Sequence, residues 1–343
     1  MKADVLSMFP NELSELCVTL GQPKYRGKQI FEGLYKGNRD FTDFSVLPKA
    51  FREKLSEHAY IPTAKIKRKL VSAIDGTVKY LYELQDGETV ESVFMRYHHG
   101  NTMCISTQVG CRMGCAFCAS TKAGLVRSLE PSEMLLQVLE AERDLGERVS
   151  NIVLMGMGEP LDNYDNVIKF LHLVNHEDGL NIGLRHISLS TCGLVDKIDK
   201  LSDESLPVTL SISLHAPNDE IRKQTMPIAN KWSIKELLDA CRRFIDKTGR
   251  RISFEYALIS GVNDSKEDAH ALGKLLSGML CHVNLIPVNP IKEKNFQRSE
   301  KNAIKVFTET VETYKISVTV RRRLGADINA SCGQLRAESA SDK

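Results

Sequence analysis

Three cysteines close together are the part of the sequence best suited to chemistry. Cys111, Cys115 and Cys118 form a C-x₃-C-x₂-C pattern within eight residues, in the stretch GCRMGCAFC. A stable hydrophobic core does not need three thiols so close together, whereas thiolates are common ligands of metals and iron–sulfur clusters. The spacing therefore predicts one inorganic centre held by this loop.

The number of ligands narrows the kind of centre. Structural zinc usually takes four protein ligands that arrive as two pairs, and the chain has no second C-x₂-C pair. Three thiolates on a cubane iron–sulfur cluster leave one iron free to bind another molecule, which favours a reactive site. Gly110 and Gly114 suit a short chelating loop with unusual backbone angles. A zinc knuckle completed by a distant Cys or His is the alternative.

The residues around the cysteines resemble a known family. Phe117 precedes the last cysteine, and C-x₃-C-x-aromatic-C resembles the signature of the radical S-adenosylmethionine enzymes. Further stretches, in unbroken order from about Glu91 to Leu335, resemble the RlmN/Cfr family of adenine RNA methyltransferases within that superfamily. These stretches are MCISTQVGC, MGMGEPLDN, LSTCG, SISLHAPND, NLIPVNP and GADINASCGQL.

The resemblance implies two cofactors and the residues that bind them. The three clustered cysteines are expected to hold a [4Fe–4S] cluster, whose open iron binds S-adenosylmethionine, with two S-adenosylmethionine molecules used per turnover. Gly158 and Glu159, which follow the second predicted barrel strand, are expected to contact the methionyl amine. The ribose, carboxylate and adenine are expected to meet residues after other strands, namely Ser190, Ser213, Leu214, His215 and Asn289.

The resemblance also implies catalytic roles for three more residues. Carbon 2 of adenine is electrophilic, so a methyl cation cannot be transferred to it directly. In the family's scheme the Cys332 thiolate first takes a methyl group by displacement. A 5′-deoxyadenosyl radical then removes hydrogen from that S-methyl group, and the methylene radical adds to carbon 2. Glu91 removes a proton, and Cys104 releases the base by forming a transient Cys104–Cys332 disulfide. Without the resemblance, Cys104 would be interpreted as strand packing and Glu91 as an exposed hairpin residue.

Two alternatives to carbon-2 methylation stay open at this point. A Cfr-type enzyme shares the cluster and both catalytic cysteines but methylates carbon 8 of the same ribosomal adenine and confers antibiotic resistance; GEPLDN, CASTKAG and LIPVNP favour the RlmN type. A zinc-stabilised RNA-binding protein without catalysis is the alternative from another class. The resemblance implies 23S rRNA as partner, tRNA as well, a one-electron donor such as flavodoxin or ferredoxin, and a monomer.

The elements that position these residues follow a strand–loop–helix pattern from residue 102 onwards. Such alternation predicts right-handed parallel βα units with the ligand at the carboxyl ends of the strands. A full (β/α)₈ barrel takes about 250 residues and eight pairs, so we expect an α/β fold with an open, partial (β/α)₆ barrel and a final strand, as the family also implies. Strands are predicted near 102–109, 151–157, 186–192, 208–214, 252–258, 282–287 and 316–322, and helices near 131–145, 163–176, 233–247, 266–278 and 299–314.

The first 97 residues have a different pattern. Three amphipathic stretches, Glu12–Leu20, Lys24–Tyr35 and Lys49–His58, predict helices, and alternation around residues 64–97 predicts a β-hairpin region. We expect 1–97 to form an RNA-binding accessory domain, 98–336 the catalytic core with the Cys332 loop, and 337–343 a flexible tail. The basic residues behind the RNA-binding expectation are Lys24, Arg26, Lys28, Lys65, Lys67, Arg68 and Lys69, for which a solvated face is the alternative.

Composition sets the outer bounds. The chain has 343 residues, 42% hydrophobic and 26% charged, which is typical of a globular protein. Its net charge of +2 means that any RNA affinity depends on local clusters of charge. The absence of a signal peptide or a long apolar run predicts a cytoplasmic protein with no membrane span. In that reducing compartment, nine cysteines favour metal binding or catalysis. The cysteines in apolar patterns, expected to be core thiols, are Cys17, Cys192, Cys241 and Cys281.

Overall fold

The computed structural model describes residues 2–289 and 296–335, which contain fourteen strands and ten α-helices. In chain order these are α1 (Pro10–Thr19), α2 (Tyr25–Tyr35), α3 (Lys49–His58), α4 (Pro131–Leu145), α5 (Tyr164–Asn175), α6 (Val195–Asp203), α7 (Asp219–Thr225), α8 (Ile234–Thr248), α9 (Lys266–Leu276) and α10 (Lys301–Glu312). The strands are β1 (Ala3–Asp4), β2 (Ala59–Tyr60), β3 (Lys65–Val71), β4 (Val78–Glu83), β5 (Thr89–Tyr97), β6 (Gly100–Cys104), β7 (Gln108–Gly110), β8 (Leu125–Ser128), β9 (Asn151–Leu154), β10 (Ile187–Thr191), β11 (Thr209–Ser213), β12 (Ile252–Leu258), β13 (Cys281–Pro287) and β14 (Ser317–Val320).

Most of the molecule is built on one open sheet of ten strands, in the order β14-β13-β12-β11-β10-β9-β6-β5-β4-β3. The seven strands from β6 to β14 in this sheet are mutually parallel, and helices α4 to α10 connect them as six βα units. This is the predicted partial (β/α)₆ barrel with a final strand, and the prediction is confirmed. Its two edges, β3 and β14, do not pair with each other.

Some elements differ from the prediction. Helices α6 and α7 were not expected, since α6 has nine residues and no side-chain cap at its start, and α7 has seven residues. The strand expected near 102–109 is divided: β6 ends at Cys104, and β7 leaves the barrel to pair antiparallel with β8. This β7–β8 ribbon was not predicted, and its two strands frame the loop that carries the three clustered cysteines.

The predicted hairpin region continues the barrel sheet. Strands β3, β4 and β5 pair antiparallel in sequence, and β5 pairs antiparallel with β6, with Val93 opposite Cys104. The proposed boundary at residue 97 therefore falls in the two-residue turn His98–His99 between paired strands. The predicted N-terminal helices are confirmed as α1 to α3. Helix α1 contacts the outer helix α5, where Lys169 forms an ion pair with Glu12 at 3.0 Å.

Alternation along the strands separates a core face from an interior face. Side chains of successive strand residues point to opposite sides of a sheet. On β10 and β11, Leu189, Leu210 and Ile212 are fully buried in the hydrophobic core, whereas Ser190 and Ser213 line a cavity inside the barrel. The barrel interior is thus lined by polar side chains that were predicted, from their places in the sequence, to lie at strand ends.

Candidate active site

One cavity inside the barrel brings together most of the predicted site residues, which come from separate strand ends and loops of the chain. This central cavity lies at the carboxyl ends of the parallel strands, where βα folds bind their ligands. It is lined by Cys111, Cys115, Cys118, Gly158, Glu159, Ser190, Ser213, His215, Asn289 and Cys332, among other residues. Three predicted residues, Leu214, Cys104 and Glu91, are not part of its lining.

Backbone hydrogen bonds hold the cysteine loop in place. The Cys111 N–H donates to the Gly124 carbonyl at 2.9 Å, which closes the loop at the β7–β8 ribbon. The Ala116 N–H donates to the Thr225 carbonyl at 2.8 Å, and the Thr121 hydroxyl donates to the Cys118 carbonyl at 3.0 Å. The loop is therefore fixed at its base, its tip and its end, so the three thiols have defined positions on one wall of the cavity.

The three thiols suit a cluster better than a single ion. Burial raises the pKa of Cys111 to about 12, and burial followed by the charges of the other thiols raises the pKa of Cys115. They would ionise only with a strong positive centre between them, because a ligating thiol must lose its proton. Within residues 2–289 and 296–335, no three His, Cys, Asp or Glu side chains converge closely enough to hold one metal ion. A cubane cluster places each thiolate on a separate iron, so three thiolates suffice to hold it, whereas the chain has no second C-x₂-C pair to complete a structural zinc site.

A buried arginine next to the thiols also fits a negatively charged group. Arg222 on α7 has no exposed surface, and its guanidinium donates to the carbonyls of Cys192 at 2.7 Å and Leu214 at 3.3 Å. Burial lowers its pKa, while Cys192 and Cys115 oppose that shift. Among the described residues, no carboxylate forms a salt bridge with Arg222. A buried cation without a counter-ion is costly, and the net negative charge of a cluster with three thiolate ligands would offset that cost.

Glu159 sits opposite the cluster loop as a buried carboxylate. It is 4% exposed, and its two oxygens accept hydrogen bonds from the Cys192 N–H at 2.8 Å and the Leu161 N–H at 3.1 Å. Burial raises its pKa above the usual value of 4.5, and these hydrogen bonds act in the opposite direction. A carboxylate fixed in this way retains lone pairs for an ammonium group in the cavity.

The glycines before Glu159 serve close packing of the protein itself. A Cβ on Gly156 would meet the Ile105 carbonyl oxygen at 2.6 Å. Gly158 has a φ of +100°, and a Cβ there would meet the Gln108 side chain at 2.6 Å. The sequence analysis expected Gly158 to contact the methionyl amine of S-adenosylmethionine. Although both glycines line the cavity, the structure shows that contact with the neighbouring loop also excludes larger residues.

His215 presents a neutral imidazole to the cavity. Burial lowers its pKa to about 3, and the charge of Arg222 adds to that effect. Its Nδ1 accepts the Ala257 N–H at 2.9 Å, so the ring proton lies on Nε2. The residue has a left-handed backbone, with φ +56°, which is rare for residues other than glycine and typical of functional sites. His215 can therefore donate a hydrogen bond to a ligand but does not carry a positive charge.

The loop that carries Cys332 is tied to the cysteine loop. The Ala119 N–H donates to the Gly333 carbonyl at 2.8 Å, and the Ser120 hydroxyl donates to the Leu335 carbonyl at 2.6 Å. On the other side, the Asn289 amide donates to the Cys332 carbonyl at 3.1 Å. These contacts place the Cys332 thiol in the central cavity beside the cluster loop.

The sequence analysis missed two charged residues that line the central cavity, Arg321 and Glu255. The negative charge of Cys332 is the main cause that raises the pKa of the Arg321 guanidinium, and the charges of Glu255 and Cys104 raise it further. It lies 3.9 Å from the Glu255 carboxylate, which also accepts hydrogen bonds from Ser253 and Asn284. Cys104 is buried, and burial raises its pKa to about 12, with the charge of Cys332 as the second cause. Cys104 is therefore a protonated thiol that lies near Cys332, and Arg321 lies near both cysteines.

Glu91 and Leu214 lie behind the cavity wall. Glu91 is buried on β5 and forms an ion pair with Lys79 at 2.8 Å, so the default interpretation of an exposed hairpin glutamate is wrong. Strand alternation puts Glu91 on the same face as Met95 and Tyr97, which line a cleft that also includes Cys332. Leu214 is fully buried, and its N–H donates to the Glu255 carbonyl at 3.1 Å.

The other cysteines divide into two groups. Cys17 and Cys241 are fully buried, as expected of core thiols, and Cys281 is half-buried at the start of β13. Cys192 is different, because it lines the central cavity next to Glu159. It is buried, as predicted for a core thiol, but it directly follows β10 and so also lies at the carboxyl edge of the sheet, which the sequence analysis did not predict. All cysteines are free, including Cys104 and Cys332.

Comparisons with known proteins identify the family of the chain. Residues 105–272 match the Radical SAM superfamily, and residues 3–61 match the ribosomal RNA large subunit methyltransferase N-terminal domain. The chain is 57% identical over 335 residues to a probable dual-specificity RNA methyltransferase RlmN of Alkaliphilus oremlandii, covering 98% of each chain. It is 58% identical over 334 residues to the protein of the same name from Clostridium perfringens strain 13, covering 97% of this chain and 96% of that one.

A solved structure shows the same fold over nearly the whole chain. The crystal structure of a radical SAM methyltransferase from Sphaerobacter thermophilus superimposes with a TM-score of 0.93 at 42% identity, covering 97% of this chain and 99% of that chain. The sequence similarity to the RlmN proteins and this structural match extend over both the barrel and the N-terminal region. The chain therefore belongs to the RlmN family of radical S-adenosylmethionine methyltransferases.

Proposed function

We propose that this enzyme transfers a methyl group, by way of Cys332, from S-adenosylmethionine to carbon 2 of an adenine in 23S rRNA and in tRNA. The observation that carries the proposal is the position of Cys332 in the same cavity as the three cluster thiols and Glu159. The relatives are named dual-specificity RNA methyltransferase RlmN, which supports the proposal of two RNA substrates. They also favour carbon 2 over the Cfr-type reaction at carbon 8.

The cavity residues divide the binding of cluster and S-adenosylmethionine between them. When bound, a [4Fe–4S] cluster supplies one electron that cleaves S-adenosylmethionine to a carbon-centred radical. Cys111, Cys115 and Cys118 would hold the cluster. Glu159 would accept hydrogen bonds from the methionyl ammonium. Polar groups suited to the ribose, carboxylate and adenine line the other walls, namely Ser190, Ser213, His215 and Asn289.

The two lone cysteines act in sequence on the transferred carbon. The Cys332 sulfur forms a bond to the methyl carbon of one S-adenosylmethionine as the sulfonium–methyl bond breaks, which makes two S-adenosylmethionine molecules per turnover necessary. After that carbon has joined the base, the adduct radical must give one electron back to the redox centre, and Glu91 accepts the proton from carbon 2. The Cys104 thiol then loses its proton and its sulfur attacks the Cys332 sulfur. An S–S bond forms, the S–C bond breaks, and its electron pair takes up a proton to complete the new methyl group.

The chain's other partners are part of the same proposal. Residues 1–97 would serve as an RNA-binding accessory region, and flavodoxin or ferredoxin would donate the electron to a monomeric, cytoplasmic enzyme. Among the described residues, no helix is both long and apolar enough to cross a membrane. The tail predicted at 337–343 lies outside the described residues.

Nucleoside mass spectrometry tests the reaction. Unmodified 23S rRNA and tRNA are incubated anaerobically with reconstituted enzyme, S-adenosylmethionine and a reductant, then digested to nucleosides. We expect 2-methyladenosine from both RNAs and none from a Cys118→Ala enzyme. A product that co-elutes with 8-methyladenosine would overturn the carbon-2 assignment in favour of the Cfr-type reaction.

A further inference from the structure

A second cleft adjoins the central cavity and is lined by arginines. Arg298, Arg322 and Arg323 line it together with Tyr97, and it shares Arg321 and Cys332 with the central cavity. A strand of RNA that places a base next to Cys332 must leave its phosphates near this opening, because each base is joined to the phosphates by one ribose.

The charge of this arginine cleft is uncompensated within the described residues. Arg298, Arg322 and Arg323 are exposed, and no acidic side chain is part of the cleft lining. Across residues 2–289 and 296–335, none of these three arginines has a salt-bridge partner. The net charge of the whole chain is +2, so this concentration of positive charge is local.

Within the described residues, several of the basic residues predicted to bind RNA already form ion pairs, unlike the three arginines of the cleft. In β3, Lys67 forms an ion pair with Glu83 at 3.5 Å, and Lys69 forms one with Asp144. Among the other predicted basic residues, Lys28 pairs with Asp178 at 3.0 Å. Each of these pairs must open or be shared before the cation can contact a phosphate. These three lysines are therefore less available for a first contact with the RNA backbone than the arginines of the cleft.

The backbone under the cleft is fixed on both sides. The Arg321 N–H donates to the Leu285 carbonyl at 2.8 Å, which joins the segment after β14 to β13. Arg298 forms an isolated β-bridge with Ile259, and the Ser260 N–H donates to the Gln297 carbonyl at 2.9 Å. The three guanidinium groups thus come from two anchored segments, which reduces the entropy lost when they bind a ligand.

We propose that Arg298, Arg322 and Arg323 form a phosphodiester-binding site for the RNA strand whose adenine enters the central cavity. The planar guanidinium matches the oxygen pairs of a phosphate and keeps its charge at every physiological pH. The proposal rests on the function proposed above, and it adds the place where the RNA backbone is held. Contacts to phosphates position a substrate without reading its sequence, so the site suits an enzyme that accepts two kinds of RNA.

The salt dependence of RNA binding tests the site. An unmodified tRNA transcript is titrated with the full-length, cluster-loaded Arg322→Ala/Arg323→Ala enzyme over a series of salt concentrations. The slope of log K against log salt should be smaller by about 1.4 units, because each single-stranded phosphate contact contributes about 0.7. Methylation of Cys332 by S-adenosylmethionine, followed by intact-protein mass without RNA, should be unchanged. The KM for tRNA should rise.

Two matched variants make the result specific. Lys235→Ala/Lys305→Ala removes the same net charge from exposed positions on α8 and α10 and should retain the wild-type slope. Arg322→Lys/Arg323→Lys keeps both charges and should retain most of the wild-type salt dependence. The site is refuted if the arginine-to-alanine variant has the same slope as the lysine control, or if it loses Cys332 methylation. Binding is measured without turnover, so a wild type that binds through the arginines yet makes no methyladenosine would refute the proposed reaction alone.

Discussion

Glu159 and Arg222 are charged side chains that the fold buries next to the central cavity, and a substitution of either residue should have a specific effect. Glu159 accepts two backbone N–H groups, and Arg222 donates to backbone carbonyls of three residues, Leu214, Cys192 and Trp232. Among the described residues neither forms a salt bridge. We therefore propose that Glu159 binds the ammonium of S-adenosylmethionine and that Arg222 offsets the negative charge of the cluster.

Binding of S-adenosylmethionine should depend on the ionisation of Glu159. Its pKa is raised by burial, and only the carboxylate attracts an ammonium, so affinity should be highest above that pKa and fall as the pH decreases through it. Glu159→Gln should weaken binding at neutral pH by about 10- to 100-fold, since a hydrogen bond to a charged group contributes about 1.5–3 kcal/mol. This substitution should also abolish the decrease in affinity at acid pH.

Isothermal titration between acid and neutral pH measures both effects. The control is Glu142→Gln, which alters a half-buried glutamate that also has a pKa raised by burial, on α4 outside the cavity lining. If the affinity of Glu159→Gln still decreased at acid pH as in the wild type, another group would bind the ammonium.

Arg222 should raise the reduction potential of the cluster, because a nearby positive charge stabilises the reduced, more negative form. Arg222→Met should shift the midpoint to more negative values by tens of millivolts, roughly the effect of one charge at an intermediate dielectric constant. The measurement is a redox titration followed by electron paramagnetic resonance. Arg250→Met, which removes another arginine bound to a backbone carbonyl, should leave the potential unchanged. Equal potentials for wild type and Arg222→Met would remove this role.

At the scale of elements, the hairpin region supports the loop that carries Cys332. The Ser72 hydroxyl donates to Asp327 at 2.7 Å, and the Ala73 N–H donates to the same carboxylate at 2.9 Å. Asp75 accepts the Gly325 N–H at 2.9 Å. The turn between β3 and β4 therefore holds the segment that leads to Cys332, although the two are separated by about 250 residues in sequence.

Removing this attachment should slow methyl transfer to Cys332. Asp327→Ala should lower its rate on the order of tenfold, with S-adenosylmethionine affinity unchanged, because a 1 Å misplacement of a reacting group can cost about 100-fold. The rate is measured by intact-protein mass in single-turnover experiments. Asp246→Ala, on the outer surface of α8, is the control. A wild-type rate in Asp327→Ala would show that Asn289 and the cluster loop suffice to hold Cys332.

The same scale shows what sequence could predict. Residues such as Glu159 and Ser190 were placed correctly because a parallel strand, once recognised, fixes where its end lies. The pairing of β5 with β6 was missed because register depends on the partner strand, although the two-residue turn before Gly100 was a signal for it. Arg222 and Arg321 could not be assigned, since their roles depend on contacts with carbonyls and cysteines distant in sequence.

At the scale of the whole molecule, the ten-stranded sheet joins the catalytic barrel to the hairpin region without a break. Cys104 on β6 and Glu91 on β5 lie on adjacent strands across the proposed boundary at residue 97, and the Cys332 loop contacts both regions. The chemistry assigned to these three residues therefore requires the sheet as one unit. The central claim is that Cys332 carries the carbon and Cys104 releases the product.

The most direct test is to trap the covalent intermediate with Cys104→Ala. This variant retains methyl loading of Cys332 and addition to the base but lacks the thiol that breaks the adduct. We predict that it accumulates attached to RNA, seen as a gel shift that survives denaturation and disappears with ribonuclease. Cys332→Ala should give no adduct, and Cys241→Ala, at a fully buried core thiol, should turn over normally. Crosslink-free inactivity of both Cys104→Ala and Cys332→Ala, with each protein folded and cluster-loaded, would contradict the account.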